Sequence, residues 1–221
     1  MANFGFSRLS VVAPFEAHWR EARSAVGAPE LLANAQEYAT LSEALTRSTL
    51  VIGTGTRTHR KPEQPAVPLQ ALTSRVEEEI ASGGRVALVF GPEKRGLTRE
   101  DLSRCHLLVE IPTDVRQPSM NLGQAVAVCL YELTRLGPSP AEPPQMAEAE
   151  RGADSGSLDR LADVIEATMT TSGYSPQIMQ AANRHDLRVL LRRLSWTEED
   201  AKRALGVFRR VLWRLQHPGK S

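Results

Sequence analysis

Glu93, Ser119 and Asn121 place a carboxylate, a hydroxyl and a carboxamide in two short polar segments, Phe90-Gly-Pro-Glu-Lys-Arg-Gly-Leu97 and Pro118-Ser-Met-Asn-Leu-Gly-Gln-Ala125. Groups of these types orient a ligand by hydrogen bonds and can assist movement of a proton. The elements around them say where they stand. Val86 to Phe90 is an unbroken apolar run that suits a strand buried on both faces, and it stops at Gly91. Thr98 with Asp101 can cap the next helix, and Leu107 to Ile111 reads as a second buried strand stopped by Pro112. From Met120 the apolar positions Val126, Leu130 and Leu133 recur at helical spacing, so Ser119 and Asn121 lie where loop becomes helix. Both polar segments thus leave the carboxyl ends of buried strands that look adjacent, and in open α/β sheets that is where ligands bind.

A third strand, Thr49 to Ile52, follows the capping box Thr40-Leu-Ser-Glu43 and the short helix it opens. It ends in Gly53-Thr-Gly-Thr-Arg-Thr58, whose glycines allow close approach of a ligand to the backbone. Thr58 to Pro68 holds three prolines beside the basic cluster Arg57, His59, Arg60 and Lys61, and reads as a loop. Val67 to Ser82 reads as a helix closed by Gly83-Gly84. Near the start, Leu9 to Val12 suits a strand, and Pro14 to Ala39 reads as helix-rich, with Pro29 at a helix start.

The two motifs resemble the SpoU branch of the SPOUT superfamily of RNA methyltransferases, whose pattern is F-G-x-E-x-x-G-L followed by S-L-N-x-x-x-A-x-x-x-x-Y-E. Phe90, Gly91, Glu93, Gly96, Leu97, Ser119, Asn121, Ala125, Tyr131 and Glu132 stand at those places, with Met120 in place of Leu. The resemblance covers residues 1 to 136 well and the remainder loosely. It implies an α/β fold in which a parallel sheet flanked by helices is threaded into a trefoil knot, a topology no composition argument would reach. It implies S-adenosylmethionine as cofactor, held by Thr54, Gly55 and Thr56, by Gly91 and Ile111, and by Pro118, Ser119 and Met120. It gives Glu93, Ser119 and Asn121 the catalytic positions. The activity implied is transfer of a methyl group to a ribose 2′-hydroxyl of tRNA, in the anticodon loop at the cytidine or uridine of position 32, by a homodimer. The family's first motif, N-x-G-x-x-x-R, has no good match: Asn3, Gly5 and Arg8 are one residue short in spacing and a strand follows. On this ground the chain reads as truncated at its start, and a second reading is an inactive dimer that binds RNA or cofactor without catalysis.

The chain has 221 residues, 41% hydrophobic and 24% charged, enough for one large or two small domains. No apolar run approaches the ~20 residues of a membrane span and no signal pattern opens the chain, so a cytoplasmic protein with no membrane partner is expected. Cys105 and Cys129 have no ligand-like spacing with the five histidines, so neither a disulfide nor a metal site is expected. The order expected is a methyltransferase domain over 1–137, a flexible linker over 138–157 rich in Pro, Ala, Glu, Gly and Ser, and a helical RNA-binding extension over 158–221. Three helices are implied there by Leu161, Ile165 and Met169, by Leu187, Leu190, Leu191 and Leu194, and by Leu205, Phe208, Leu212 and Leu215. Thr197 with Asp200 caps the last, whose other face carries Lys202, Arg203, Arg209, Arg210 and Arg214. The net charge of +1 hides this asymmetry: Arg184 to Ser221 has ten Lys or Arg against four Asp or Glu. Such charge runs are often only solvated faces, but the resemblance, in which a C-terminal helical extension helps hold tRNA and a loop beside the cofactor carries the other cluster, implies RNA contacts at Arg57, Arg60 and Lys61 in the loop and Arg209 and Arg210 in the last helix. Trp196 and Trp213 read as packing residues.

Overall fold

The structure, a computed structural model, describes residues 1–15, 19–21, 27–55, 63–135 and 151–218. Thr56, Arg57, Arg60 and Lys61 lie outside the described residues, as does the linker from 138 to 150.

Four parallel strands form the central sheet: β3 (Leu50–Thr54), β4 (Ala66–Pro68), β5 (Val86–Val89) and β6 (Leu107–Glu110), in the order β4-β6-β3-β5. Burial on both faces explains the apolar runs that announce the central strands β3 and β6. Leu45, Val51, Leu97, Leu102, Cys105 and Leu108 build one core layer, and Leu50, Ile52, Leu72, Leu107, Val109 and Cys129 the other. The order corrects one expectation. β5 and β6 are not neighbours; β3 lies between them and pairs with both, Leu50 opposite Val86 and Ile52 opposite Leu107.

Two strands escape the sequence reading. β4 falls in the expected proline loop, where an edge position lets Pro68 lack its donor. A separate parallel pair joins β1 (Ser10–Val12) to β2 (Gln36–Tyr38), so the expected helix-rich stretch over 14–39 contains a strand as well as the short helix α1 (Pro29–Ala33).

The helices on the sheet follow their capping signals. Thr40 and Glu43 close a full capping box on α2 (Leu41–Leu45), and Thr98 and Asp101 do the same on α4 (Arg99–Leu102). Between them α3 (Leu72–Ala81) ends at Gly83, whose positive φ of 74° suits glycine. Then α5 (Leu122–Thr134) starts on the side-chain cap of Asn121.

The C-terminal part is three helices, α6 (Ser155–Thr171), α7 (Gln180–Arg193) and α8 (Glu198–Gln216), as the periodicity implies. The helix starts earlier than the expected linker end at 157. Asp154 caps α6 by accepting from the Ser157 amide at 2.7 Å, and Ser155 donates its amide and hydroxyl to the Ser48 carbonyl. This seats α6 on the strand-bearing part just ahead of β3. Further along, Asp159 accepts from Ser42 at 2.5 Å, Arg104 at 2.7 Å and Arg192 at 2.7 Å. Beside it Arg188 pairs with Glu100, and His185 meets Glu63 at 3.2 Å. The helical part is therefore docked through buried charge as well as by the Ser48 contact.

Candidate functional site

β3 and the strands on either side of it end in loops at one edge of the sheet. Thr54 donates its hydroxyl to the Val89 carbonyl at 3.1 Å, and the Gly55 amide donates to the Val109 carbonyl at 3.3 Å. The carboxyl end of β3 is thus laced to both neighbours, and Thr54 uses its side chain for that link.

After β5 the chain makes a close backbone crossing. A Cβ on Gly91 would lie 2.2 Å from the Gly96 carbonyl carbon and 2.2 Å from the Leu97 amide nitrogen, so no other residue fits. Gly96 has φ of 63° and its amide donates to the Pro92 carbonyl at 2.7 Å. Two glycines of the first motif are explained by this turn. It presents Glu93 to solvent, while Leu97 turns back into the core.

After β6, Ile111 packs half-buried against the core, and the loop closes on itself where Thr113 donates to the Pro118 carbonyl at 3.3 Å. Ser119 is exposed and Met120 half-buried. Asn121 then joins the two motifs. Its carboxamide oxygen caps α5 by accepting from the amides of Gly123 at 2.9 Å and Gln124 at 3.3 Å, and its nitrogen donates to Glu93 at 2.6 Å. The residues 28 positions apart in sequence thereby share one polar centre. Thr54, Gly55, Gly91, Glu93, Ile111, Pro118, Ser119, Met120 and Asn121 all lie on loops or strand ends of this edge.

The other expected contacts lie elsewhere. Arg209 and Arg210 are exposed on α8. Trp196 packs between the helices as expected, but Trp213 is half-buried in a stack with His217, ring centroids 5.0 Å apart, and under the guanidinium of Arg210 at 5.0 Å. Sequence reasoning missed this stack; the spacing of Arg210, Trp213 and His217 along one side of a helix was the available signal.

His106 is no base. Its Nδ1 accepts from the Val51 amide at 3.0 Å, and burial with a contribution from Arg192 holds its pKa down to about 3. Unfolded histidine takes up a proton below about 6.5 while the folded ring stays neutral, so stability should fall as pH drops from about 6.5 towards 3. The variant His106→Asn keeps an acceptor that cannot titrate. Thermal melting across that range should show a flatter pH dependence for the variant; equal slopes would remove His106 from the account.

Burial raises the thiols of Cys105 and Cys129, to about 12 and about 11, so both are poor nucleophiles. Glu63, His185 and Asp186 bring possible metal-ligand atoms within 4.8 Å of one another, but Arg99 stands 3.1 Å from Glu63 and 3.8 Å from Asp186. A guanidinium already supplies the positive charge there.

Comparison with known proteins identifies the family. Residues 1–131 match the model of the SpoU rRNA methylase family. The TrmJ tRNA (cytidine/uridine/adenosine-2′-O-)-methyltransferase of Pseudomonas aeruginosa is 40% identical over 134 residues, covering 60% of this chain and 52% of that protein. The TrmJ tRNA (cytidine/uridine-2′-O-)-methyltransferase of Salmonella typhimurium is 30% identical over 226 residues, covering 100% of this chain and 90% of that protein. The crystal structure of TrmJ from Z. mobilis superposes with a TM-score of 0.81 at 26% identity, over 96% of this chain and 89% of that one. With its α/β parallel sheet, its two linked motif loops and its helical C-terminal part, the chain belongs to the SpoU family of RNA methyltransferases.

Proposed function

We propose that the chain transfers the methyl group of S-adenosylmethionine to a ribose 2′-hydroxyl of tRNA, in the anticodon loop at a pyrimidine of position 32, as a cytoplasmic homodimer. The observation that carries this reading is the Asn121 to Glu93 bond at 2.6 Å, which holds both family motifs together at the carboxyl edge of a parallel sheet. The relatives' names supply the tRNA substrate and the 2′-hydroxyl.

The residues present fit the cofactor. Gly55 and Gly96 would each point a Cβ into open space, so backbone at these turns is accessible to an adenosyl group, and Gly91 permits the crossing that forms the second turn. Thr54, Gly55, Gly91, Ile111, Pro118, Ser119 and Met120 would hold it, with Thr56 completing the first loop. When bound, it supplies an electrophilic methyl on sulfur. A ribose hydroxyl is a weak nucleophile that must be in line and must lose its proton. Asn121 fixes the Glu93 carboxylate at the mouth of the site, and Ser119 offers an exposed hydroxyl two residues before Asn121. Arg209 and Arg210, with Arg57, Arg60 and Lys61, are the cations offered to phosphate. Tyr131, exposed on α5, with Phe4 edge-on to it at 6.3 Å, offers apolar surface to a second copy.

Incubation with labelled S-adenosylmethionine and unmodified tRNA, followed by alkaline hydrolysis, tests the reading. A labelled dinucleotide resistant to alkali is expected, because a 2′-O-methyl group blocks cleavage. Label confined to bases, or none in a folded protein that also binds no S-adenosylhomocysteine, would overturn it.

A further inference from the structure

The helical part is polarised along its length. Ala201 packs with Leu158, and Ala204, Leu205 and Phe208 with Leu161, Ala162 and Ile165, so α6 and α8 run side by side in the same direction. Both start at the seam with the strand-bearing part, where Gly152 and Thr197 form a bridge. The second half of α8 therefore comes level with the turn from α6 to α7 at the far end.

Charge divides along the same axis. The last acidic residue of α6 is Glu166, which is already paired with Arg184, and beyond it residues 167–185 and 201–221 contain no Asp or Glu. The second half of α8 and the tail after it carry Arg209, Arg210, Arg214 and Lys220. Among the described residues, Arg209, Arg210 and Arg214 form no ion pair within 4.0 Å. A second copy would bring like charge to this end, whereas an anionic chain would be attracted.

Aromatic rings stand among these cations. The indole of Trp213 lies under Arg210 and is stacked on His217 at an interplanar angle of 20°. His217 is locked in that pose, because its Nδ1 and its backbone amide both donate to the Trp213 carbonyl, at 2.9 and 3.0 Å. Among the described residues no other ring stacks on it. Tyr174, 74% exposed, stands at the same end of the part, on a turn pinned by the Ser175 amide to Met169 and by Asn183 to the Ser175 hydroxyl. Preset rings among unpaired cations suit a flexible nucleic-acid strand, whose bases offer π faces and whose phosphates offer charge.

We propose that the far end of the helical part holds an unpaired nucleotide of the RNA, its base extending the Arg210–Trp213–His217 stack and its flanking phosphates meeting Arg209 and Arg214. This deepens the tRNA reading above by naming single-stranded RNA and the contact that would receive it. Duplex RNA hides its base faces and could use only the cations.

The test is fluorescence anisotropy of the full chain with end-labelled oligouridylate and, separately, a duplex RNA of the same length. His217→Ala should weaken oligouridylate binding about tenfold, and His217→Phe should restore most of it, since a ring and not an imidazole is required. Trp213→Leu should lose at least as much. Duplex binding should be unchanged and thermal melting nearly so for His217→Ala, which removes a half-buried ring just past the last turn of α8, away from the core. Wild-type affinity in His217→Ala, an equal loss for duplex, or no recovery in His217→Phe would overturn the proposal. Methyl transfer to tRNA by the unaltered chain is measured in parallel: its failure sinks the proposed activity while leaving the oligouridylate result to decide the platform.

Discussion

Asp159→Ala is expected to destabilise the protein by about 3–5 kcal/mol, the range for breaking a buried charged pair from one side. The carboxylate is nearly enclosed, with 15% of its side chain exposed, and accepts from Arg192, which is 1% exposed, from Arg104 and from Ser42. Removing it leaves Arg192 buried with only the carbonyls of Arg104 and Arg188 as acceptors. Replacing both charges is a different change: a double variant Asp159→Leu with Arg192→Leu should recover much of the loss, because no unpaired charge remains. The same centre sets an acid limit. Burial pushes the Asp159 carboxyl up, but Arg192, Ser42 and Arg104 outweigh it and hold it below the usual carboxylate range. A group depressed on folding stabilises above its unfolded value, about 3.9, and that stabilisation is lost as pH falls from there through its folded value. Urea unfolding at neutral pH and near pH 3 should therefore show the Asp159→Ala deficit shrinking in acid. A deficit under 1 kcal/mol at neutral pH would mean that the helical part is not anchored here.

Asn121→Ala should lower methyl transfer about 100-fold and cost about 1 kcal/mol of stability, two effects with separate causes. The stability term is the lost cap on α5, and the rate term is the freed Glu93. Asn121→Asp separates them. Its carboxylate can still accept from the Gly123 and Gln124 amides, so melting should stay near the original. It cannot donate to Glu93, and two carboxylates would face each other at hydrogen-bond distance. Single-turnover transfer should then fall as far as in Asn121→Ala, with S-adenosylhomocysteine affinity within a few-fold. Near-normal transfer in Asn121→Asp would show that the Asn121 to Glu93 bond does not serve the reaction.

Much of the site was legible because its parts are local. Gly91, Glu93, Gly96 and the Ser119 to Asn121 turn announce themselves by spacing, and the caps at Thr40, Thr98 and Thr197 fix helix starts within a residue. What sequence pattern could not carry is neighbourhood across the sheet. Nothing in the apolar runs says that β3 inserts between β5 and β6, since all three are short apolar runs that look alike although β5 lies at the edge and is only half-buried. The strand β4 hid behind three prolines, because three residues at an edge need little β propensity. The docking of α6 and α7 was equally hidden. Asp159, Arg192 and Arg104 read as ordinary surface charges until tertiary structure buries them together.

The side-by-side run of α6 and α8 has an electrical side. Each helix carries about half a negative charge at its carboxyl end, and here two such ends coincide at the far tip while α7 brings only one amino end there. Arg209, Arg210 and Arg214 thus gather where the backbone itself is negative, which offsets part of their mutual repulsion. Among the described residues no carboxylate is paired with these three arginines, and Glu166 is held by Arg184, so their charge stays available to whatever anion arrives.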